Sequence, residues 1–280
     1  MIGPELFARA LTRSQIFDQF GNSWQYHSRS DNHSKIACGA LLLDLLNSCP
    51  LLAAHARDGK VVFGINHEMR DFKTARQKNL DLIICTPKAN AASDSTLSAY
   101  FEKYNILLTP HEQGILAGLP VIRSADVGSV LVAVEAKAAM TAHVKALPRL
   151  YDELNSSHLA IHGSAEAAIA VGLAFINVSP TFASSDRNKF DLAKIERQVT
   201  VHRQPHDARR TIEKLLELPR RTHQGTEGFD ALGIVLVDFA NNGTNVSIVE
   251  DLKELDTKGL DYALMVHRVS NLYATNFRQI

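Results

Sequence analysis

Residues 129–137 read Ser-Val-Leu-Val-Ala-Val-Glu-Ala-Lys, and this stretch decides how the rest of the chain is interpreted. β-Branched and leucine side chains run without a polar interruption up to Glu135, which is typical of a strand buried on both faces of a sheet. Because side chains alternate between the two faces of a strand, Glu135 and Lys137 point to the same face. The stretch therefore predicts a central strand that carries a carboxylate and an ammonium group near its end.

A second acidic residue interrupts an apolar stretch upstream. Residues 80–85 read Leu-Asp-Leu-Ile-Ile-Cys, and Thr86-Pro87 ends this predicted strand because proline cannot continue a central ladder. An unpaired buried carboxylate is costly, so Asp81 needs a partner. If its strand lies beside that of Glu135, two carboxylates meet Lys137. Such a group predicts a Mg²⁺ site, with Mn²⁺ as an alternative, at which the metal and the lysine favour hydroxide formation.

Hydrophobic periodicity predicts helices and strands around these two stretches. Ser34 can cap a helix whose leucines recur at near-helical spacing, and Pro148 is expected to bend the helix after the Glu135 strand. In chain order, the predicted core elements are a helix at 34–48, strands at 61–65, 80–85 and 129–137, a helix at 142–154 and a strand at 168–178. This αβββαβ order predicts an α/β fold, an α+β sandwich with a mixed central sheet.

Further elements are predicted outside this core. Residues 86–128 are expected to form an insertion with a helix at 94–104. The C-terminal part is expected to contain helices at 206–218 and 260–277 and strands at 232–239 and 246–249. We therefore expect an N-terminal flanking segment at 1–33, a core at 34–180, and a C-terminal extension at 181–280 that packs on the core.

Composition excludes several classes of protein. With 45% hydrophobic and 21% charged residues and no biased tract, the chain is globular and not disordered, collagen-like or coiled-coil. Its 30 Lys and Arg balance its 30 Asp and Glu, so any site for a polyanion has to be local. The three cysteines show no C-x-x-C pair, which disfavours a disulfide framework or a zinc site and favours buried thiols.

Missing motifs and segments narrow the expectations further. Neither G-x-G-x-x-G nor G-x-x-x-x-G-K-[ST] occurs, so no nucleotide cofactor is expected. The first twenty residues carry several charges and lack the apolar core of a signal peptide. The strongest apolar run, residues 37–54, is broken by Asp44, Asn47 and Pro50 and is not expected to cross a bilayer. A cytoplasmic location without a membrane partner is expected.

Asp81 on one strand and Glu135-Ala136-Lys137 on the next resemble the motif of the PD-(D/E)xK nuclease superfamily, whose common core has the αβββαβ order. The resemblance covers residues 34–178. It implies a restriction-endonuclease-like fold in which Asp81 and Glu135 hold one or two Mg²⁺ and Lys137 orients or polarises the attacking water. Leu80 stands where the motif has proline, and the long interval between Asp81 and Glu135 requires residues 86–128 to be an insertion at a hairpin end.

Asp44 is a further candidate metal ligand. Some members of the superfamily add an acidic residue from the first helix, and Asp44 is the only acidic residue at 34–48. A carboxylate among leucines needs a partner, which the metal site would supply. An exposed position on the helix is the alternative.

Basic residues near the core elements are candidate phosphate contacts, because Lys and Arg neutralise the backbone in nucleic-acid complexes. They are Arg29, His33 and Lys35 around the start of the first core helix, Arg70, Lys73 and Lys78 before the Asp81 strand, and Arg209 and Arg210 within the basic segment 187–223. An ordinary polar loop or solvated face is the alternative for each group.

These features predict a Mg²⁺-dependent endonuclease that hydrolyses DNA phosphodiester bonds, of a restriction or phage-defence type. A homodimer is expected because one carboxylate cluster per chain faces two DNA strands, with the helix at 260–277 as the candidate interface. Packing of that helix on its own domain is the alternative. Rival functions are a catalytically inactive nucleic-acid-binding or assembly protein, in which Glu135 and Lys137 form a structural salt bridge, and a metal-dependent hydrolase of another substrate.

Overall fold

The computed structural model describes residues 1–72, 74–89, 93–141, 143–223, 225–250, 255, 257 and 259–280. In chain order, the helices are α1 (Gly3–Arg13), α2 (Asn32–Ser48), α3 (Pro50–Arg57), α4 (Leu97–Lys103), α5 (Pro110–Gly118), α6 (His143–Ser164), α7 (His206–Leu216) and α8 (Tyr262–Asn276). The strands are β1 (Ile16–Phe17), β2 (Ser23–Trp24), β3 (Val62–Arg70), β4 (Gln77–Pro87), β5 (Ser93–Thr96), β6 (Arg123–Ala125), β7 (Val127–Ala139), β8 (Ile169–Asn177), β9 (Thr181–Phe182), β10 (Thr200–Val201), β11 (Ala231–Asp238) and β12 (Ser247–Ile248).

A mixed sheet of eight strands forms the centre of the described part of the molecule, in the order β12-β11-β8-β7-β4-β3-β6-β5. β4 runs antiparallel to both β3 and β7, whereas β7, β8 and β11 are mutually parallel. Parallel strands are usually covered on both faces, and every residue of β8 is buried. The predicted α/β class with a mixed central sheet is confirmed.

Two hydrophobic clusters cover the opposite faces of this sheet. One packs α1, α2 and α8 against the strands, with Leu41 and Val266 among its members. The other contains residues of α6 and α7, including Leu154 and Ile212. α2 is buried on nearly all sides, so it has no polar face of the kind that a surface helix shows. The three cysteines are buried free thiols, as predicted.

The helices and strands expected in the core are present in the expected order, with different ends. β3 and β4 are longer than predicted and remain paired as far as Arg70 and Gln77. Most of the added residues are polar and break the apolar pattern, but hydrogen bonds between the two strands keep them in the sheet. α6 continues through Pro148 and ends at Ser164. α1, α3 and α5 were not predicted. Each has proline in its first turn, where the missing N–H has no intrahelical partner to lose.

The segment between β4 and β7 extends the sheet at one edge. β5 and β6 pair with each other, and β6 pairs with β3. α4 begins at Leu97, not at the predicted residue 94, because the Thr96 hydroxyl caps the helix by accepting from the Ala99 N–H. The two strands that flank this segment are themselves adjacent and antiparallel.

No single helix in the described ranges is long and apolar enough to cross a membrane. α2 and α3 meet the length and composition requirement only as a pair, and they are bent by 100° where they join.

Candidate functional site

The central sheet opens into a fork between β4 and β7. The ladder that joins these strands stops at the pair Leu82–Val134. Before Leu82, β4 runs beside β3, and beyond Val134, β7 runs beside β8 as far as Ala139. Asp81 and Glu135 are therefore the first residues on the two arms of the fork. The fork brings together the two carboxylates that the sequence predicts to converge.

Side-chain hydrogen bonding replaces the ladder at this point. Asp81 Oδ2 accepts a hydrogen bond from the backbone N–H of Ala136 over 2.9 Å. Asn66 lies between the pairs Ile65–Leu82 and His67–Leu80, and so opposite Asp81 on β3. Its φ of 53° is in the left-handed region, which asparagine adopts more readily than most residues. The sheet is thus irregular on both sides of Asp81.

Glu135 is the most enclosed charged group of the fork. Its side chain is 1% exposed, and Oε1 lies 2.7 Å from Lys137 Nζ and 3.3 Å from Lys78 Nζ. Oε2 is buried and has no hydrogen-bond partner among the described residues. Burial raises the pKa of Glu135, and Asp81 adds to this effect, while Lys137 and Lys78 act against it. The site therefore satisfies only one of the two carboxylate oxygens.

Lys137 shares the face of Glu135, which confirms the prediction from strand alternation. Its ammonium group also lies 3.3 Å from Glu153 Oε2 on α6. Burial alone would lower the pKa of Lys137, but the attraction of Glu135, Asp81 and Glu153 outweighs it and raises the pKa above its ordinary value. Lys137 is therefore a cation at neutral pH and is suited to orienting a polar group rather than accepting a proton.

Glu153 and Lys78 complete this set of charges. Glu153 accepts from Arg149 Nε over 2.6 Å, and Lys78 Nζ donates to the Glu153 carbonyl over 3.2 Å. Although burial opposes it, these contacts with Arg149 and Lys137 lower the pKa of Glu153. Glu153 and Asn66 were not predicted as site residues. A carboxylate on the predicted helix after β7 was a possible signal for Glu153, whereas nothing in the sequence indicates the conformation of Asn66.

His33, in the first turn of α2, lies close enough to the fork for Asp81 and Lys137 to influence its titration. Loss of hydration lowers the pKa of His33 to about 4, although Asp81 acts in the opposite direction. Its ring contacts Tyr26, with 5.0 Å between the ring centres. His33 is therefore neutral at neutral pH and could approach a phosphate only as a hydrogen-bonding group.

Lys35 and Arg29 differ in their availability to a phosphate. Lys35 is buried, its ammonium group donates to Asn66 Oδ1, and it lies 3.3 Å from Asp31. The predicted phosphate contact of Lys35 is therefore not supported, because its charge holds Asn66 and the start of α2 together. Arg29 is exposed on the loop before α2 and remains a candidate contact.

Asp44 lies away from the fork, so the prediction that it is a third metal ligand is corrected. Its Oδ1 accepts from the Ile2 N–H over 3.0 Å, and its Oδ2 accepts from the Gly3 N–H over 2.8 Å and from the Tyr262 hydroxyl over 3.0 Å. A carboxylate at a helix N-terminus binds unpaired N–H groups and suits the helix dipole. Asp44 therefore joins α1 and α8 to α2.

The other predicted phosphate contacts occupy two elements. Arg70 is exposed at the end of β3, and Lys78 is partly exposed on β4 beside Glu135. Lys73 lies outside the described residues. Arg209 and Arg210 are exposed on α7, which packs against α6. The structure thus connects Lys78 with the fork and places Arg209 and Arg210 on a neighbouring helix.

The fork contains two carboxylates, and carboxylate oxygens are ligands that Mg²⁺ prefers. Among the described residues, no group of three or more His, Cys, Asp or Glu side chains could hold a metal. Mg²⁺ is commonly held by one or two carboxylates, with waters and substrate phosphates as the remaining ligands. Asp81 and Glu135, with the unpartnered Oε2 of Glu135, fit such a site.

No family model, curated protein or solved structure matches this chain. Its function therefore has to be inferred from the geometry and charge of the fork.

Proposed function

We propose that this protein is a Mg²⁺-dependent endonuclease that hydrolyses phosphodiester bonds in DNA. The observation that carries the proposal is the buried Glu135, whose Oε2 lacks a partner at the point where Asp81 and Lys137 converge. A buried polar atom without a hydrogen bond is rare and calls for a bound ligand or a functional role. A divalent cation between Asp81 and Glu135 would satisfy it.

Each charged residue of the fork would have a distinct role in such a reaction. Asp81 and Glu135 would hold the metal, and Mg²⁺, when bound, supplies positive charge at the scissile phosphate and lowers the pKa of water. Lys137 stays protonated, donates hydrogen bonds to the attacking water, and stabilises the negative charge that develops on the phosphate. Glu153 and Glu135 hold the ammonium group of Lys137 from two sides.

The resemblance to the PD-(D/E)xK superfamily supports this proposal. Asp81 and Glu135-Ala136-Lys137 lie on adjacent strands, within an αβββαβ succession made by α2, β3, β4, β7, α6 and β8. We extend the proposal to a restriction-endonuclease-like core, a restriction or phage-defence role in the cytoplasm, and a homodimer on duplex DNA. Mn²⁺ would replace Mg²⁺ at a site made of carboxylates.

Cleavage of supercoiled plasmid tests the proposal. The purified protein is expected to nick or linearise plasmid with Mg²⁺ or Mn²⁺ and to be inactive with EDTA. Asp81→Asn, which keeps an oxygen for the Ala136 N–H but removes the charge, should abolish cleavage. Glu102→Gln, an exposed carboxylate on α4, is the matched control and should cut normally. Metal-independent cleavage, or full activity of Asp81→Asn, would contradict the proposed site.

A nucleic-acid-binding protein without catalysis is the second candidate. It is favoured by the two ammonium groups on Glu135 Oε1, which resemble a structural ion pair, and by the lack of a three-residue metal group in the described ranges. Duplex binding that is insensitive to Mg²⁺, with no product under any metal, would favour this candidate.

A further inference from the structure

The turn between β3 and β4, of which residues 71, 72 and 74–76 are described, presents an aromatic ring to solvent. Phe72 is 75% exposed, which makes it, with Val201, the most exposed large hydrophobic side chain in the described part of the chain. Single exposed hydrophobic residues are common on protein surfaces. The surroundings of Phe72 therefore decide whether its exposure has a use.

The backbone that carries Phe72 is anchored on α6. Asp71 is buried, its N–H donates to the Arg76 carbonyl over 2.8 Å, and its Oδ2 accepts from Thr74 Oγ1 over 2.5 Å. The Phe72 N–H donates to the Gly163 carbonyl over 3.4 Å. A β-carbon at Gly163 would collide with the Asp71 carboxylate, so glycine permits this close approach. The ring thus extends from an anchored turn.

The two strands behind the turn are also fixed. Met69 on β3 and Leu80 on β4 are buried in the same cluster as Leu154 and Ile161 of α6. β3 and β4 remain paired from Leu80 to Gln77, beyond the point where β4 leaves β7. The turn and the fork therefore lie on one rigid two-stranded arm.

Arginines precede and follow Phe72 in the chain. Arg70 and Arg76 are exposed on either side of the turn, whereas Asp71 is buried; Glu68 is the exposed acid on the same arm. Lys78 continues the basic side of the arm into the fork, where it contacts Glu135. An apolar ring between arginines suits duplex DNA, because arginines contact the backbone and grooves while apolar side chains can enter between base steps.

We propose that Phe72 is a wedge that inserts between base pairs of duplex DNA lying along this arm. Gln77 and Asp81 are four residues apart on β4, a span of about 13 Å. At 3.4 Å per base pair, the ring would enter at least about four base pairs from the scissile phosphate. The choice of duplex DNA as the partner and this spacing rest on the proposed function, whereas insertion itself requires duplex binding and no cleavage.

Tryptophan substitutions test the wedge directly, because the one native tryptophan, Trp24, is buried. Phe72→Trp is compared with Phe17→Trp, which places the ring at a 70% exposed position on β1. Titration with a duplex in Ca²⁺ should quench the emission of Phe72→Trp by base stacking and leave Phe17→Trp unchanged. Duplexes with 2-aminopurine at successive positions should brighten at one step with the native protein and with Phe72→Trp.

Affinity provides a second readout. Phe72→Ala should bind duplex between about fivefold and a hundredfold more weakly, the range of alanine substitutions at stacked aromatic residues, whereas Phe17→Ala should bind normally. Both variants should keep the native melting temperature because both rings are exposed. Equal affinity and equal 2-aminopurine signals for Phe72→Ala and Phe17→Ala would overturn the wedge.

The outcomes separate the wedge from the nuclease. Metal-dependent cleavage without any 2-aminopurine signal would reject the wedge and leave the nuclease proposal standing. A Phe72-dependent signal without cleavage would do the reverse. Absence of duplex binding by the native protein would reject both, and quenching of Phe72→Trp by phosphatidylserine vesicles but not by duplex would replace DNA with a membrane surface.

Discussion

Glu135 combines enclosure with incomplete hydrogen bonding, and this combination makes its ionised form unfavourable in the isolated chain. Two lysines share Oε1, while Oε2 has no partner within the described residues. Desolvation of a charge is offset only when its remaining lone pairs are also satisfied. A cation bound at Oε2 would supply the missing partner. The stability of the folded protein should therefore depend, through Glu135, on both pH and metal.

Glu135→Gln tests the direction in which the stability of the folded protein changes with pH. Because the folded protein raises the pKa of Glu135, the stabilising contribution of its protonated form is complete below the ordinary glutamate pKa and is lost as pH rises through the folded-state pKa. Glutamine cannot ionise. In EDTA, the melting temperature of Glu135→Gln minus that of the native protein should therefore increase as the pH rises above the ordinary glutamate pKa of about 4. Cleavage in Mg²⁺ should fall at least about a hundredfold.

Glu112→Gln is a control of opposite sign. Although burial opposes it, hydrogen bonds from Thr109 and the charge of Arg9 lower the pKa of Glu112. Its carboxylate therefore stabilises the fold above the ordinary pKa, and the same melting difference should decrease as pH rises. A flat or decreasing difference for Glu135→Gln would instead indicate a structural ion pair with the lysines.

Lys137→Met should separate chemistry from binding. The raised pKa keeps Lys137 charged at neutral pH, and its proposed contact is with the attacking water and the developing charge. We expect kcat to fall about a hundredfold or more, as for other lost electrostatic donors, with a smaller change in the Kd for duplex in Ca²⁺. Lys137→Arg should restore part of kcat. Equal losses in kcat and affinity would make Lys137 a phosphate contact only.

Asp44→Ala should affect folding and not chemistry. The substitution leaves the N–H groups of Ile2 and Gly3 and the Tyr262 hydroxyl without their acceptor. Loss of a cap and of buried hydrogen bonds should lower the free energy of unfolding by about 1–3 kcal/mol. Metal-dependent cleavage below the melting transition should be unchanged. A large loss of cleavage with an unchanged denaturation midpoint would return Asp44 to the metal site.

At the scale of elements, sequence patterns predict those parts of the fold that local burial determines. β7 is recognisable because a strand covered on both faces is continuously apolar, and the alternation of its side chains gives the shared face of Glu135 and Lys137. The role of Asp44 depends on α1, which is distant in sequence, so the residues around Asp44 do not indicate its contact with the Gly3 N–H. The fork also depends on the left-handed backbone conformation of Asn66. Asparagine adopts this conformation more readily than most residues, but the residue type alone does not require it.

α7 provides an element-scale test of the basic surface. Arg209 and Arg210 are exposed on this helix, on the side of the sheet that α6 covers. If both contact DNA phosphates, the double substitution to glutamine should reduce the slope of log K against log salt by about 1.8, from roughly 0.9 for each contact. Lys194→Gln, which removes an exposed charge paired with Asp191, is the control. An unchanged slope would place α7 outside the DNA interface.

At the scale of the whole molecule, the described residues supply one fork, whereas a duplex presents two strands. The helix proposed as a dimer interface, α8, uses one face for its own domain, since Met265, Val266 and Val269 are buried against the core. The alternative that this helix packs on its own domain is therefore confirmed. The opposite face carries Leu264, His267 and Asn271 at the surface. A second copy could therefore contact only that outer face.

Leu264→Glu tests this outer face without disturbing the packed one. Leu264 is 57% exposed, so the substitution should leave the fold intact but place a charge in any apolar contact between copies. Sedimentation velocity with duplex in Ca²⁺ should show a dimer for the native protein and a monomer for Leu264→Glu, and plasmid should be nicked rather than linearised by the variant. Leu107→Glu, at a 51% exposed leucine between α4 and α5, is the matched control and should remain dimeric. A native protein that stays monomeric on duplex yet linearises plasmid would show that one fork cuts both strands in sequence, because two simultaneous cuts need two sites.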